Sequence, residues 1–365
     1  MKDKLVKRSF IQRVFRSVVV GVAAAVFFFP PVAASQQAGA AASSFSGKTV
    51  TIIVGSAPGG GYDITARLVA RFASRHLPGN PNFVVQNLAG GGQLRGLRAT
   101  MKAKPDGLTV GTLHPRFVAS ELFGKDVPDF DLNTVTVIGA PTSVRRPRMW
   151  CARRDLATSW QEIVKLGRPV TVGANAPGGL AGTLGPEFVE ALGGPVKMVF
   201  GYGGASEVLA AFDRGELDSN QYCTEEYVPR LYPNWIGNKI LAPIFWWEAK
   251  PSDDWIGQLG SPMPPHVAEA VRATTDQREA LEVAMGFGRM GRLFVAPASM
   301  DKRIYQVWKT AFETTIRDPG FIKAAEDGGF EVGLGTAEEF RQNNEAFKKL
   351  PASTKKLVRK LAGME

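Results

Sequence analysis

Twice along this chain a β-branched run ends in a Pro-Gly-Gly turn and opens into a helix-forming stretch. Thr51–Phe72 reads TIIVGSAPGGGYDITARLVARF, and Val170–Leu192 reads VTVGANAPGGLAGTLGPEFVEAL. A helix starting in such a turn points unpaired N–H groups and the positive end of its dipole at whatever occupies the loop, so each turn is a candidate anion site. One strand–glycine–helix turn is common in α/β proteins. Two matched ones in separate halves point to two lobes gripping one anionic ligand. The candidate residues are Pro58, Gly59, Gly60, Gly61, Tyr62 and Asp63 in the first loop, and Ala176, Pro177, Gly178, Gly179 and Thr183 in the second.

The N-terminus belongs to neither half. Six bases precede an apolar run from Val18 to Phe29, followed by Pro30-Pro31 and Val32-Ala33-Ala34. This order reads as a signal peptide over 1–34, cleaved after Ala34, and the run is short for a membrane span. Ser35–Lys48, rich in Ala, Ser, Gly and Gln, reads as a flexible leader. The mature chain is therefore expected to be soluble and periplasmic. Of the formal +10, the leader's six bases and single acid account for half. The remaining excess does not call for nucleic acid, and the cluster Arg145, Arg146, Arg148, Arg153 and Arg154 reads as a solvated edge or docking patch. Two cysteines and three scattered histidines make a poor metal site. In an oxidising compartment Cys151 and Cys223, each at a predicted strand end near a lobe crossing, can pair. The sequence leaves that pairing open.

From Thr49 the pattern alternates strand and helix, which predicts mostly parallel sheets covered by helices. A second series begins near Arg148 and runs to a predicted strand Leu217–Tyr222. The apolar strand Ile240–Phe245 then returns to the first pattern. This order predicts a discontinuous first lobe, 49–140 and 226–365, with a second lobe, 141–225, inserted through crossings near Ala140 and Glu225. Two lobes in tandem are the alternative.

Catalytic signals are thin. Gly286, Gly288 and Gly291 complete a G-x-G-x-x-G, but a helix precedes it and a strand follows, the reverse of the dinucleotide fingerprint, so it reads as a helix–strand turn. Neither Pro-Gly-Gly loop carries Gly-Lys-Ser/Thr, and no G-x-S-x-G or H-E-x-x-H occurs. His114, just past a strand end, is the histidine placed like a site residue, with capping or packing as the rival role. Asp63 closes the first loop, where a carboxylate aimed at an anion would repel it, so it is expected to turn back onto backbone N–H groups. Tyr202 and Gly203-Gly204 form a third strand–glycine–helix turn, either a tight turn or a pocket wall.

From about Lys48 to Phe347 the chain resembles the substrate-binding receptors of tripartite tricarboxylate transporters, the extracytoplasmic Bug family. The resemblance rests, in order, on PGGGYD (Pro58–Asp63), VVQNLAGGGQLRG (Val84–Gly96), KPDGLTVGTL (Lys104–Leu113), GYGGASEVLAAFDRGELD (Gly201–Asp218), FVAPASMDKRIYQVW (Phe294–Trp308) and GTAEEF (Gly335–Phe340). It implies an α/β, two-lobed type II periplasmic-binding-protein fold, each lobe a mostly parallel sheet flanked by helices. It also implies a monomer without catalysis or cofactor, which binds a small organic carboxylate and delivers it to transporter membrane subunits. The ligand carboxylate would meet backbone groups around Gly59–Tyr62 and Ala176–Thr183, while the region Ser219–Thr224, with Tyr222 and Thr224, would read its far end. Tyr222-Cys223-Thr224 carries no charge where amino-acid-binding members carry an acid, and the second loop lacks the usual Ser and His. These departures count against a standard C4-dicarboxylate or amino acid and admit an aromatic or longer carboxylate. The rival readings are a periplasmic hydrolase or transferase, whose nucleophile–base pair the sequence does not show, and a ligand-sensing domain feeding a signalling partner.

Overall fold

The computed structural model describes residues 45–123, 127, 130–142, 147–178, 184–330 and 332–362. The expected signal peptide, 1–34, and its expected cleavage point lie outside these residues. The first strand, β1 (Thr49–Val54), is a run of β-branched side chains, as a strand covered on both faces needs. Val50, Ile52 and Val54 are fully buried. Parallel neighbours flank β1, with Ile52 opposite Val85 of β2 (Asn82–Asn87) and Val110 of β3 (Thr109–Leu113). Helix α1 (Gly61–Ala73) joins β1 to β2, α2 (Leu94–Met101) joins β2 to β3, and α3 (Pro115–Leu122) leads on to β4 (Val135–Ala140).

The chain then builds a second sheet from β5 (Pro147–Arg153), β6 (Val170–Ala174), β7 (Val196–Phe200), β8 (Ser219–Asn220) and β9 (Leu241–Glu248), with α4 (Leu184–Ala191) between β6 and β7 and α5 (Ala205–Asp213) between β7 and β8. After α6 (Thr275–Gly288) it returns to the first sheet with β10 (Leu293–Pro297), α7 (Lys302–Arg317) and β11 (Gly335–Thr336), and α8 (Ala352–Leu361) ends the described chain. The first sheet runs β11-β4-β10-β3-β1-β2 and the second β7-β6-β8-β5-β9. The second sheet is thus inserted into the first in chain order, and a tandem arrangement of the sheets is excluded.

Several expectations are corrected. Both sheets are mixed rather than mostly parallel: β10 is antiparallel to β3 and β4, β11 to β4, and β5 to β8 and β9. Only short βαβ units force parallel pairing, and the strands that break the rule enter their sheets after long excursions. The strand expected to rejoin the first lobe, Ile240–Phe245, instead extends to Glu248 and pairs along β5, so the second sheet does not end near Glu225. Cross-strand aromatic packing holds it there, with the Trp150 and Phe245 ring centroids 4.8 Å apart. Strand Leu217–Tyr222 shortens to Ser219–Asn220, because Asn220 Oδ1 accepts the Tyr222 N–H at 2.9 Å and turns the chain out of the ladder. At the end of the expected leader, Phe45 is fully buried and meets Trp308 edge-on at 6.5 Å. An aromatic ring with a place in a core does not stay in solvent.

Cys151 of β5 and Cys223 just past β8 form a disulfide, with Cα atoms 6.1 Å apart. One apolar cluster runs through both sheets, joining Leu113, Val137 and Val295 to Trp150, Val172 and Ile244. Among the described residues no helix is long and apolar enough to cross a membrane.

Candidate functional site

A cleft of about 590 Å3, counting its open mouth, lies where the two sheets' loops converge. Ser56, Gly60, Gly61 and Tyr62 from the first loop line it, with Gln93, His114 and Gly291-Arg292 from the first sheet's other connections. Arg148, Asn175, Gly204, Ala205, Tyr222 and Tyr227 complete the wall.

At the first loop the N-terminus of α1 faces the cleft, and its N-cap, Gly60, supplies no capping side chain. A helix start without a side-chain cap is the kind of terminus that suits an anion. Asp63 does turn back. Its Oδ2 accepts the Gly59 N–H at 2.9 Å and Arg67 Nε at 3.1 Å, and its Oδ1 accepts Asn87 Nδ2 at 2.9 Å. Burial pushes its carboxyl pKa up, but the bonds from Arg67, Gly59 and Asn87 outweigh that and hold it below the usual range. Asp63 therefore shapes the loop and stays out of the cleft. Pro58 and Gly59 are not in the lining; Pro58 O accepts from Ser206 Oγ at 2.9 Å, and the Ala57 N–H reaches Gly203 O at 3.0 Å. The first loop is thereby docked on the third glycine turn, at the N-terminus of α5.

That third turn supplies the second backbone wall, Gly204 and Ala205, also without a capping side chain on Gly204. In the second Pro-Gly-Gly loop the Gly178 N–H is taken by Glu187 Oε1 at 3.1 Å, and Pro177 O accepts from Arg116 at 3.2 Å. Ala176 is not in the lining, although Asn175 beside it is. Gly179 and Thr183 lie outside the described residues. Tyr202 packs beside Gly173 and Thr224 is buried, both away from the lining, whereas Tyr222 is in it.

His114 caps a helix, the rival role weighed for it, and also stands in the cleft lining. Its Nδ1 accepts the Arg116 N–H at 3.1 Å and caps α3, which places the ring proton on Nε2. Burial, with Arg116, Arg148 and Arg292 nearby, lowers its pKa to about 3, so the ring is a neutral donor at physiological pH. Tyr62 packs on it at 5.5 Å.

Two arginines in the wall escaped sequence reading. Arg292 follows the dismissed G-x-G-x-x-G, which is indeed a helix–strand turn, with Gly291 at φ +73. That turn delivers Arg292 to the cleft, where its guanidinium pairs with buried Glu226 and donates to Thr65 Oγ1 at 3.2 Å. A Cβ on Gly61 would stand 2.3 Å from Arg292 Nη2 and 2.5 Å from the Tyr227 hydroxyl, so glycine is what lets both reach the α1 N-terminus. Arg148 corrects the solvated-edge reading of the basic cluster. It is 7% exposed, lines the cleft, and its Nε stands 3.5 Å from Glu248 Oε2. Arg154 is likewise engaged, donating to the carbonyls of Lys239, Leu241 and Leu259. The signal available in sequence was the apolar run Met149–Ala152 directly after Arg148, which forms a strand buried at every position from Arg148 to Ala152.

Three residues of the lining carry buried polar atoms without a hydrogen bond. Ser56 Oγ, Gln93 Oε1 and Arg148 Nε are buried and make no hydrogen bond in the structure. Such groups are costly unless a ligand completes them. Gln93 (φ 80) and Glu248 (φ 72) also occupy left-handed backbone that costs a side-chain-bearing residue about 1–2 kcal/mol. Strain of this kind gathers at binding sites.

Solved structures share this fold. The periplasmic binding protein BugD superposes with a TM-score of 0.65 at 19% identity, covering 87% of this chain and 98% of its own. An R. palustris protein with adipate gives 0.64 at 21% identity, covering 86% and 97%. MatC from Rhodopseudomonas palustris with bound malate gives 0.61 at 15%, covering 85% and 99%. The fold is thus the α/β fold of periplasmic solute-binding proteins. No protein-family model matches the chain, and no curated protein does.

Proposed function

We propose that this chain is an extracytoplasmic receptor of the tripartite tricarboxylate type, which binds a small organic carboxylate in the cleft and delivers it, unchanged, to membrane transporter subunits. The lobes are taken to be those built on the two sheets. The observation that carries the reading is the convergence on one cleft of two helix N-termini without side-chain caps and of buried Ser56 and Gln93, whose Oγ and Oε1 make no hydrogen bond. The fold likeness and the ordered motifs from Lys48 to Phe347 support the receptor class, and neighbours solved with adipate and malate support an acid ligand.

A thermal-shift screen of organic acids tests it. A ligand that binds only the folded protein at a hundredfold excess over Kd adds about 2.7 kcal/mol, a rise of a few degrees in Tm. Gly61→Val should abolish the shift by driving Arg292 and Tyr227 from the helix N-terminus. A Gly61→Val protein that is folded and binds as tightly as the parent would refute the cradle, and consumption of the acid would refute the receptor.

A further inference from the structure

The charges around the cleft say what kind of acid fits. Among the described residues the charged side chains in its lining are Arg148 and Arg292, and each faces a buried carboxylate, Glu248 and Glu226 respectively. Outside the lining, the Arg116 charge is offset by buried Glu187. His114 is neutral, and its Nε2–H is a donor without a charge. The side chains of the wall thus sum to zero before any ligand enters.

Among the described lining residues, positive potential is left over at backbone. Helix α1, of 13 residues, and α5, of nine, both begin at the cleft. Each N-terminus acts as roughly +0.5 elementary charge, so together they match one carboxylate. The nearby acids do not cancel this: Asp63 is paired with Arg67, and Glu207, which accepts the Gly203 N–H, is exposed and solvent-screened. A second carboxylate would be stripped of water among ion pairs already balanced, with no unbalanced cation among the described lining residues to compensate it. Neutral hydroxyls, by contrast, match Ser56 Oγ and Gln93 Oε1, which make no hydrogen bond.

We infer that the cleft, on the receptor reading above, takes a monocarboxylate whose remaining polar groups are uncharged, and that Glu226 and Glu248 are the residues that exclude a second carboxylate. Both glutamates are specificity determinants that act through the arginines.

Calorimetric titration of the full mature chain with lactate, gluconate, benzoate and 4-hydroxybenzoate, against malate and adipate, tests the inference. The best monocarboxylate should bind at least tenfold tighter than either dicarboxylate. Glu248→Gln and Glu226→Gln, each confirmed folded by circular dichroism, should narrow that gap at least tenfold by strengthening dicarboxylate binding. If the parent binds malate or adipate as tightly as any monocarboxylate, the inference falls and the receptor reading stands. If no acid of either class binds, both fall together. A folded variant that keeps the parental discrimination removes that glutamate from the assignment, while the parent comparison decides the charge question without either variant.

Discussion

Arg292 at the entry to β10 and Glu226 beyond β8 form a buried ion pair behind the cleft, with side chains only 7% and 8% exposed. The pair ties the first sheet to the segment that leaves the second. It also fixes the guanidinium beside Gly61, where the α1 N-terminus opens.

Removing one partner alone should be severe, because it strands a charge in a dry site. Arg292→Met should lower stability by about 3–5 kcal/mol, whereas adding Glu226→Leu should recover most of that loss. Neither protein should bind the acid. Urea unfolding of the parent, both single variants and the double variant measures the coupling; a double variant no more stable than Arg292→Met would show that the pair contributes nothing.

His114 predicts a pH dependence. Its folded pKa, about 3, lies below the ordinary 6.5, so the unfolded chain takes up a proton there that the folded one refuses. The folded state therefore has the full benefit above pH 6.5 and loses it progressively as pH falls from 6.5 toward 3. His114→Asn keeps an N-cap acceptor but does not titrate. Its Tm should fall less than the parent's between pH 7 and pH 4, and parallel curves would refute the buried neutral ring.

The Cys151–Cys223 disulfide closes a loop with a sequence separation of 72 and sits directly against Tyr222 in the cleft wall. Loop-closure entropy gives it up to about 4 kcal/mol. Replacing both cysteines by serine should lower the denaturation midpoint accordingly and weaken acid binding through a less fixed Tyr222. Unchanged affinity would separate the disulfide from the site.

What the sequence determined by itself is local. The β-branched run Thr49–Val54, the Pro-Gly-Gly turn and the helix after it are written in neighbouring residues, and so is the anion-seeking helix start at Gly60–Tyr62, because φ/ψ preference and amphipathic period act over a few positions. The turn back of Asp63 follows from the sign of its charge. What only the tertiary structure decided is which distant residues share the cleft. Arg148 looked like one base in a run, and Arg292 looked like the residue after a turn. Their burial beside Glu248 and Glu226 depends on pairing strands about a hundred or more positions apart, on β9 joining β5, and on the third glycine turn docking against the first. Strand register and the side a chain re-enters from leave no short-range mark in composition or periodicity. The charge balance around the cleft therefore exists only in the folded chain.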